Sequence, residues 1–558
     1  MPYLTGMHGP GTLLSQVGTA RAVPYVKGGC VDADVIIAGA GPTGLMLANE
    51  LRIAGVQPLL LERQPQLRET PRANGLGGQI LELLHYRDML SDLQAASTDP
   101  HPVPRFPFGN VHLDFSHLTD PPMRAVQIPQ PRLERLLEER AERLGTRVRR
   151  SHEVLGVSQD QDGVSVEVHC PDGPYRARGR YLVGCDGSRS KVRDLAGIPF
   201  PGATYPEVNR LSQVTLAKGA TRCDNGDLDV PGLGTLRAGF TRTDHGVLGL
   251  GWLTSEVLMI STTENENTAY EDDAPMTLAE LQDSIRRVIG VDLPLGQPLR
   301  LSRYQFQDRQ ADRYREGRVL LAGDAAHQFP ATGVALNAGM LDAVNLAWKL
   351  AAELHGWAPP GLLDTYHSER HAAGARTLLH TRAQMALRRG HDPAAEALRE
   401  LFQELLRDEK PLRRIGALVA GDDFRCPQPD GNKHALNGAF VPDLTLDIAQ
   451  ETSSIAKLMH PGRPLFLDLA DRPELREIAE GWAHRVDIHR AGTDDRPADA
   501  LLIRPDAHIA WAAPVGESSD ALLPTLRQAL ATWFGDPQSH EEPHHYPATD
   551  RTPVMHTR

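Results

Sequence analysis

Three glycines at a fixed spacing constrain this chain more than any other feature. Gly39, Gly41 and Gly44 follow a short apolar run at residues 34–38 and open an apolar segment with helical spacing at residues 42–54. In a strand–turn–helix unit, the first glycine permits the tight turn and the second lets a phosphate approach the backbone. The third lets the helix pack closely on the strand. The pattern therefore predicts a Rossmann-like α/β fold that binds a dinucleotide.

The residues around this turn complete the unit. Pro42 and Thr43 begin the helix, whose first turn offers free N–H groups and a partial positive charge to phosphates. A second strand, predicted at residues 58–61, ends in Glu62 and Arg63. The acid stands 23 residues after the first glycine, where such folds place a carboxylate on a ribose hydroxyl. A glycine-rich turn without a ligand is the alternative, and strand, helix and acid together favour the nucleotide.

Two later segments distinguish FAD from NAD. One predicted strand leads to Asp186 and Gly187, and another, at residues 318–322, leads to Gly323 and Asp324. Ligands of α/β sheets bind at the carboxyl ends of the strands, so both turns are expected at the same site. Asp324 can accept a hydrogen bond from a ribityl hydroxyl of FAD, although it could instead cap the following helix. Together the three segments indicate an FAD site.

With these motifs, the chain resembles the class A flavoprotein aromatic hydroxylases, the group that contains 4-hydroxybenzoate hydroxylase and phenol hydroxylase. It is most similar to the aromatic polyketide hydroxylases and to the enzymes that oxidise rifamycins or tetracyclines. The resemblance implies a monooxygenase with noncovalent FAD, NADPH or NADH as reductant and O₂ as co-substrate, acting on an aromatic small molecule through a C4a-hydroperoxyflavin. It also implies that Asp186 and Gly187 contact FAD and the nicotinamide, and that Gly323 and Asp324 bind the ribityl chain.

The resemblance implies further cofactor contacts. Arg72 matches an arginine near the FAD phosphates and the mobile flavin, while Gln130 and Arg132 match contacts at a helix start. Solvated charges on a polar face are the alternative for both arginines. Because an anionic pyrophosphate needs donors, we favour cofactor contact.

The loop after His327 is expected at the reacting edge of the flavin. The resemblance places Pro330 and Gly333 there, with Leu336 and Asn337 on the cofactor, before a helix predicted at residues 338–354. The N-terminus of this helix would stabilise negative charge on the reduced flavin. His327 itself could assist proton movement, but a structural role beside the turn is favoured.

This loop departs from the relatives, which usually carry Pro-x-Gly-Gly-Gln-Gly-x-Asn. Thr332, Val334 and Ala335 replace glycine, glutamine and glycine. Fewer glycines predict a stiffer loop. The sequence therefore does not determine the motion of the flavin or the shape of the substrate that lies beside Pro330.

Residues 201–308 change to strand-like stretches separated by turns, at 212–217, 235–241 and 247–253. In this family an antiparallel sheet roofs the flavin and forms the substrate cavity. Candidate lining residues, each of which could instead belong to the core, are Trp252, Met259, Tyr304, Phe306, Phe329 and Pro330. No catalytic triad, metal spacing or paired carboxylate stands out, so the chemistry is expected to reside on the flavin and no catalytic side chain is assigned.

The chain is thus expected to be an α/β protein with a Rossmann-like FAD-binding domain of the GR2 type, an inserted, mainly antiparallel β-sheet domain and a thioredoxin-like C-terminal α/β domain without CxxC. Four arginines of the connecting helices, Arg370, Arg376, Arg388 and Arg389, are expected on solvated faces. The predicted segments are a disordered extension (1–31), the first FAD-binding segment (32–200), the substrate sheet (201–308), the second FAD-binding segment (309–390), a helical connection (391–430), the C-terminal domain (431–535) and a flexible tail (536–558).

Charge and cysteine usage limit the partners. A net charge of −13 disfavours nucleic acids and anionic membranes, and no apolar run approaches the about 18 residues of a membrane span. Five scattered cysteines suit a reducing cytoplasm, where a monomer or homodimer is expected. A flavin reductase, an isoprenoid epoxidase and a non-catalytic flavin sensor remain alternatives. The sequence leaves three choices open. The reaction could be hydroxylation or Baeyer–Villiger oxidation, the reductant could be NADPH or NADH, and the role could be biosynthesis or drug inactivation.

Overall fold

The fold is taken from a computed structural model. It describes residues 33–69, 73–97, 105–109, 111–224, 226–252, 256–265, 275–330, 333–389, 392–428 and 434–537. Arg72, Thr332, the predicted N-terminal extension and nearly all of the predicted tail lie outside these residues.

The strands fall into a central sheet, an antiparallel sheet, a C-terminal sheet and small two- or three-stranded sheets. In chain order they are β1 (Ala33–Ala38), β2 (Pro58–Glu62), β3 (Leu76–Gly77), β4 (Arg105–Phe108), β5 (Val111–Asp114), β6 (Ala125–Val126), β7 (Val148–Arg150), β8 (Glu153–Gln159), β9 (Val164–His169), β10 (Tyr175–Gly184), β11 (Gly202–Leu216), β12 (Thr221–Arg222), β13 (Leu228–Val230), β14 (Gly234–Leu236), β15 (Gly239–Thr243), β16 (Gly246–Trp252), β17 (Val257–Asn265), β18 (Leu295–Gln310), β19 (Arg315–Glu316), β20 (Val319–Leu321), β21 (His327–Gln328), β22 (Thr445–Ile448), β23 (Glu451–Ser454), β24 (Leu465–Asp468), β25 (Asp487–Arg490), β26 (Ala500–Ile503) and β27 (Ile509–Ala513).

Helices cover the sheets and connect them. They are α1 (Pro42–Ile53), α2 (Gln79–His85), α3 (Leu90–Ala95), α4 (Gln130–Arg143), α5 (Lys191–Leu195), α6 (Leu278–Ile289), α7 (Ala335–Leu354), α8 (Asp364–Arg388), α9 (Pro393–Leu405), α10 (Glu409–Ala420), α11 (Ile455–Met459), α12 (Pro473–Glu480) and α13 (Ser519–Phe534). None of the helices in the described portion of the chain is long and apolar enough to cross a membrane.

The central sheet has the order β19-β20-β10-β1-β2-β7. β1 runs parallel to both β2 and β10, and β10 runs parallel to β20. Val35, Ile36 and Ile37 are fully buried, as expected for a strand covered on both faces. Parallel strands end at one edge of the sheet, so the turns after β1, β10 and β20 meet there. This confirms the predicted Rossmann-like fold.

The second sheet is antiparallel throughout, in the order β15-β16-β17-β11-β18-β21. α6 packs against it through Leu281, Ile285 and Val288, whose spacing forms one helical face. The prediction of a single strand at residues 235–241 is wrong. β14 and β15 belong to different sheets, and Gly239, with φ of 103°, turns the chain between them.

The C-terminal sheet has the order β25-β24-β26-β27, with one parallel and two antiparallel pairs. α12 and α13 pack on it, as expected for a mixed α/β unit. Trp511, Trp533 and Phe534 are buried in its core.

A buried ionic cluster joins this unit to α7 and α8. Arg504 donates to both carboxylate oxygens of Glu369 at 2.8 and 2.7 Å, and Lys349 donates to Glu369 at 2.9 Å. The Arg504 guanidinium also lies 4.4 Å from the Trp533 ring and 5.5 Å from the Trp348 ring. Buried charges are tolerated only when they are paired, so this cluster ties the C-terminal unit to α7 in one arrangement.

Candidate cofactor and substrate cleft

A cleft of about 910 Å³ follows the carboxyl edge of the central sheet and continues beneath the antiparallel sheet. It brings together most of the residues predicted from sequence. The predicted residues that line it are Gly39, Gly41, Pro42, Thr43, Glu62, Arg63, Gln130, Asp186, Gly187, Met259, Tyr304, Asp324, Gly333 and Leu336.

The glycines of the first turn have different roles. A Cβ on Gly39, whose φ is 103°, would lie 2.4 Å from the carbonyl oxygen of Cys185. A Cβ on Gly44 would lie 1.9 Å from the oxygen of Gly39, whereas one on Gly41 would meet nothing within 4 Å. Gly39 and Gly44 are therefore required for packing, and Gly41 borders open space in the cleft.

The N-terminus of α1 faces this open space. No side chain caps it, and no acid stands in its first turn. Its N–H groups and partial positive charge are thus available to an anionic group in the cleft. Arg63 adds a cation to the same wall.

Glu62 both lines the cleft and braces the glycine turn. One carboxylate oxygen accepts from the N–H of Ala40 at 2.8 Å, and the other accepts from the N–H of Gln64 at 2.8 Å. Each oxygen retains further acceptor capacity for a ribose hydroxyl. The bracing role is not evident from sequence, because it depends on β1 and β2 being neighbours.

Asp186 directs its carboxylate into α5. It accepts from the hydroxyl of Ser190 at 2.5 Å and from the N–H groups of Lys191 and Val192 at 2.7 and 3.1 Å. Burial raises the pKa of Asp186, although these hydrogen bonds act in the opposite direction. Gly187, with φ of 89°, borders open space beside it.

The third turn meets the first at close range. A Cβ on Gly323, whose φ is 65°, would lie 2.7 Å from the hydroxyl oxygen of Thr43. The N–H of Gly323 donates to Asp342 at 3.0 Å. Asp324, the next residue, is exposed and lines the cleft, where its carboxylate can accept from a polyol chain.

Asp342, which sequence reasoning missed, anchors this turn from within α7. It is fully buried and contacts His327 Nε2 at 2.7 Å and Arg370 Nε at 2.7 Å. Burial alone would raise the pKa of Asp342, but His327 and Arg370 hold it below its ordinary value. This contact agrees with the expected structural role of His327. The prediction that Arg370 lies on a solvated face is wrong, because its side chain is buried against Asp342. The sequence did carry one signal for the burial of Asp342, which is an acid within the apolar pattern of α7.

The loop after β21 holds the start of α7. α7 begins at Ala335, three residues earlier than predicted, and alanine is a residue that favours helix. The Asn337 amide donates to the carbonyl of Gly333 at 3.0 Å, and its oxygen accepts from Gly77 at 3.4 Å. Gly333 and Leu336 face the cleft, whereas Asn337 ties the loop to β3.

The antiparallel sheet forms the far end of the cleft, which we call the roof. Besides the predicted Met259 and Tyr304, four residues missed from sequence line it: Leu211, Phe240, Ser261 and Arg388. Phe240 is 50% exposed on the edge strand β15. Strand register brings the side chains of the sheet together, and Arg388 reaches them from the end of α8. No local signal in the sequence reveals either arrangement.

Four predicted substrate residues do not line the cleft. The Trp252 indole donates to the carbonyl of Gly226 at 2.6 Å, and Phe329 stacks on His327 at 4.6 Å. Phe306 packs edge-on against Tyr304, with their ring centroids 5.6 Å apart. Pro330 is buried outside the cleft lining.

Three further predicted residues do not line the cleft. Arg132 donates to the carbonyl of Ala96 at 3.0 Å. Gly44 and Gly323 serve through packing.

The expectation of solvated arginines also fails for Arg388. Arg388 lines the cleft, and its guanidinium lies 5.1 Å from the centre of the Phe306 ring. Arg376 and Arg389 are partly exposed and pair with Asp423 and Glu207.

The cleft fits FAD at the end near α1. An uncapped helix N-terminus, the open space at Gly41 and the cation of Arg63 suit a pyrophosphate. Glu62 and Asp324 offer acceptors to hydroxyl groups on either side.

The comparisons with known proteins place the chain in a class. Residues 32–381 match the FAD binding domain family, and residues 434–537 match the aromatic-ring hydroxylase C-terminal family. The chain therefore belongs to the FAD-dependent aromatic-ring hydroxylases. This confirms the resemblance seen in the sequence, the monooxygenase class and its use of FAD, NAD(P)H and O₂.

Individual relatives cover nearly the whole chain. It is 39% identical over 518 residues to the 12-dehydrotetracycline 5-monooxygenase/anhydrotetracycline 6-monooxygenase of Streptomyces rimosus, covering 90% of this chain and 99% of that protein. It is 40% identical over 512 residues to the dialkyldecalin synthase of Streptomyces rugosporus, covering 90% and 98%. The solved structure of OxyS anhydrotetracycline hydroxylase from Streptomyces rimosus matches with a TM-score of 0.80 and 38% identity, covering 91% and 100%.

Proposed function

We propose that this protein hydroxylates a flat, polycyclic aromatic molecule of the polyketide type. The observation that carries the proposal is the continuity of the cleft, which joins the glycine turn after β1 to Tyr304 and Met259 on the roof. A cofactor at one end and an aromatic substrate at the other would therefore share a single continuous space.

The chain's own residues bind and orient. The N–H groups of α1 and Arg63 would hold the phosphates, while Glu62 and Asp324 would hold hydroxyl groups. FAD, when bound, supplies reduction by NAD(P)H and transfer of one oxygen atom from O₂. The start of α7, at Ala335 and Leu336, lines the cleft, so its positive end would stabilise negative charge on a flavin bound there.

The roof would position the aromatic ring and exclude water. Leu211, Phe240 and Met259 provide apolar walls for a flat ring system. Holding the ring in one orientation accounts for regioselective oxidation without a catalytic side chain.

Oxygen-18 incorporation tests the proposal. The purified protein would be incubated with NADPH, labelled O₂ and either anhydrotetracycline or alizarin, and the products analysed by mass spectrometry. We expect a product containing one labelled oxygen. The control is Gly41→Val, whose Cβ would meet nothing within 4 Å and whose side chain would occupy the cleft, so it should leave a folded protein that lacks FAD. NADPH oxidation that yields only hydrogen peroxide with each compound would contradict the proposal.

A second candidate activity is ring formation without oxygen transfer. It is favoured by the 40% identity to the dialkyldecalin synthase and by the altered loop at Val334 and Ala335. In this case a polyene probe would be converted to a product of unchanged mass, without NADPH and without O₂. The same FAD-free control would show whether the flavin is needed for shaping the cleft.

The assembly state and location belong to the proposal as well. We propose a cytoplasmic monomer or homodimer, based on the cysteine pattern and the charge. Sedimentation of the FAD-bound protein would separate the two assembly states.

A further inference from the structure

A hairpin outside the roof carries an aromatic side chain into the same cleft. Phe106 lies on β4, which pairs with β5 in an antiparallel hairpin, opposite Leu113. Its side chain lines the cleft, although β4 belongs to the predicted first FAD-binding segment and not to the antiparallel sheet. The sheet at residues 201–308 was expected to form the substrate cavity. The hairpin adds a wall that this sheet does not supply.

The ring of Phe106 reaches the loop at the start of α7. A Cβ on Gly333 would lie 3.5 Å from Cζ of Phe106 and 3.7 Å from Cε2, which is the ordinary distance of van der Waals contact. Gly333 itself lines the cleft, as do Ala335 and Leu336 of α7. Phe106 therefore stands where the loop expected at the reacting edge of the flavin borders the cleft.

The hairpin is held in place by α8 and α9. Phe108, two residues along the same strand, is buried and stacks on Phe402 of α9, with ring centroids 5.8 Å apart at an angle of 22°. At the turn, a Cβ on Gly109, whose φ is 67°, would lie 2.8 Å from the carbonyl oxygen of Gln384 in α8. Phe106 packs against the apolar cluster that contains Phe108. A side chain supported in this way is already positioned before a ligand binds.

Two aromatic side chains of the cleft thus come from separate elements of the fold. Phe240 stands on the edge strand β15 of the roof, and Phe106 stands on the hairpin. Met123 and Met259 add apolar surface to the same cleft. Aromatic faces and edges bind flat rings through stacking and edge-on contacts. A ring system that contacts both elements is held in one orientation, whereas a ring that contacts only one of them can rotate.

We propose that Phe106 determines substrate specificity by holding the aromatic ring system of the substrate beside the loop at Gly333. The proposal rests on the proposed function, because it assigns a residue to the substrate in that cleft. Contact with both Phe106 and the roof favours fused ring systems and presents one ring position to the flavin. Phe106 takes no part in the chemistry, since a phenyl ring offers no acid, base or nucleophile.

Binding of alizarin to the FAD-loaded protein tests the assignment. The change in flavin absorbance during a titration gives the dissociation constant without turnover. We expect Phe106→Ala to raise this constant about fivefold, as the loss of one aromatic contact implies. Phe106→Leu keeps apolar bulk without an aromatic face, so its dissociation constant should lie between those of Phe106→Ala and the wild type.

The yield of oxygenated product provides a second measurement. With NADPH and labelled O₂, Phe106→Ala should convert a smaller share of the NADPH consumed into labelled product and release the remaining oxygen as hydrogen peroxide. The reason is that a loosely held ring spends less time in the reactive orientation.

Leu118→Ala is the matched control. Leu118 is partly buried against the same apolar cluster as Phe106 but does not line the cleft. Its truncation removes apolar contact from the cluster and leaves the cleft wall intact. The control should therefore bind alizarin as the wild type does.

Three results would overturn the assignment. The first is a Phe106→Ala protein that binds alizarin as tightly as the wild type. The second is equal weakening by Phe106→Ala and Leu118→Ala, which would mean that the cluster only shapes the cleft. The third is a wild type that binds neither alizarin nor anhydrotetracycline.

Oxygen-18 analysis of the same samples keeps the two proposals distinct. Selective weakening in Phe106→Ala supports the role of Phe106 even if the wild type forms no labelled product. Labelled product without such weakening supports hydroxylation and removes Phe106 from substrate binding.

Discussion

The two ends of the cleft are built in different ways. At the cofactor end, backbone packs on backbone or on a neighbouring side chain, as where Gly39 meets Cys185 and where Gly323 meets Thr43. At the roof, the lining consists of side chains such as Phe240 and Tyr304 on antiparallel strands, and Phe240 is half-exposed. A site defined by backbone tolerates little change, while one defined by side chains can be altered residue by residue.

Gly39→Ala is the largest perturbation expected from this difference. The alanine would have to adopt a φ of 103°, a backbone strain of about 1–2 kcal/mol. Its Cβ would also clash with the carbonyl oxygen of Cys185, at 2.4 Å. We expect no bound flavin, measured by visible absorbance, and a lower melting temperature. Gly41→Ala, whose Cβ meets open space, should melt like the wild type. Normal flavin content in Gly39→Ala would show that the backbone does not define this end.

Asp342→Ala should be the next largest. It removes the acceptor of the Gly323 N–H and leaves buried Arg370 without its carboxylate, which costs about 3–5 kcal/mol of unfolding free energy. Urea unfolding measures the loss. The control Asp364→Ala removes an exposed partner of Arg315 and should cost less than about 1 kcal/mol. Equal effects of the two variants would refute the anchoring role.

The third prediction concerns His380, a buried residue of α8, the helix that also carries Arg370 and Arg388. Burial lowers the pKa of His380 to about 4, below the value of about 6.5 in the unfolded chain, so the unfolded state binds more protons between these values. Its contribution to stability is complete above about pH 6.5 and falls with acidification, by about 2 kcal/mol at about pH 5. His380→Gln should flatten this region of the urea-unfolding profile. An unchanged acid slope in the variant would contradict the assignment.

Phe240→Ala should have the smallest effect on stability and a selective effect on the substrate. Loss of one aromatic contact predicts a KM for an aromatic substrate raised about fivefold, with unfolding free energy changed by less than about 0.5 kcal/mol. Leu299→Ala is the matched control, because Leu299 is 53% exposed on β18 but does not line the cleft. A destabilised Phe240→Ala protein with an unchanged KM would contradict the claim that side chains of the roof affect substrate binding more than stability.

The same difference explains what could be predicted from the sequence. The turn after β1 and the start of α1 at Pro42 follow from glycine spacing and a proline, signals that are local in the chain. For Asp342, the sequence offered one local signal, an acid within the apolar pattern of α7, but not its partners, and the role of Arg388 had no local signal. An acid or an arginine on a helix normally faces water, and only packing against Gly323 or Phe306 gives these two a function.

The junction near Arg504 has a spectroscopic consequence. Trp348, from α7, and Trp533, from the C-terminal helix, have ring centroids 6.4 Å apart at an angle of 53°. Two indoles at this distance and tilt couple electronically, and the coupled pair exists only while α7 and the C-terminal unit remain joined. Circular dichroism in the indole bands therefore offers a label-free record of whether the C-terminal unit stays docked as the enzyme turns over.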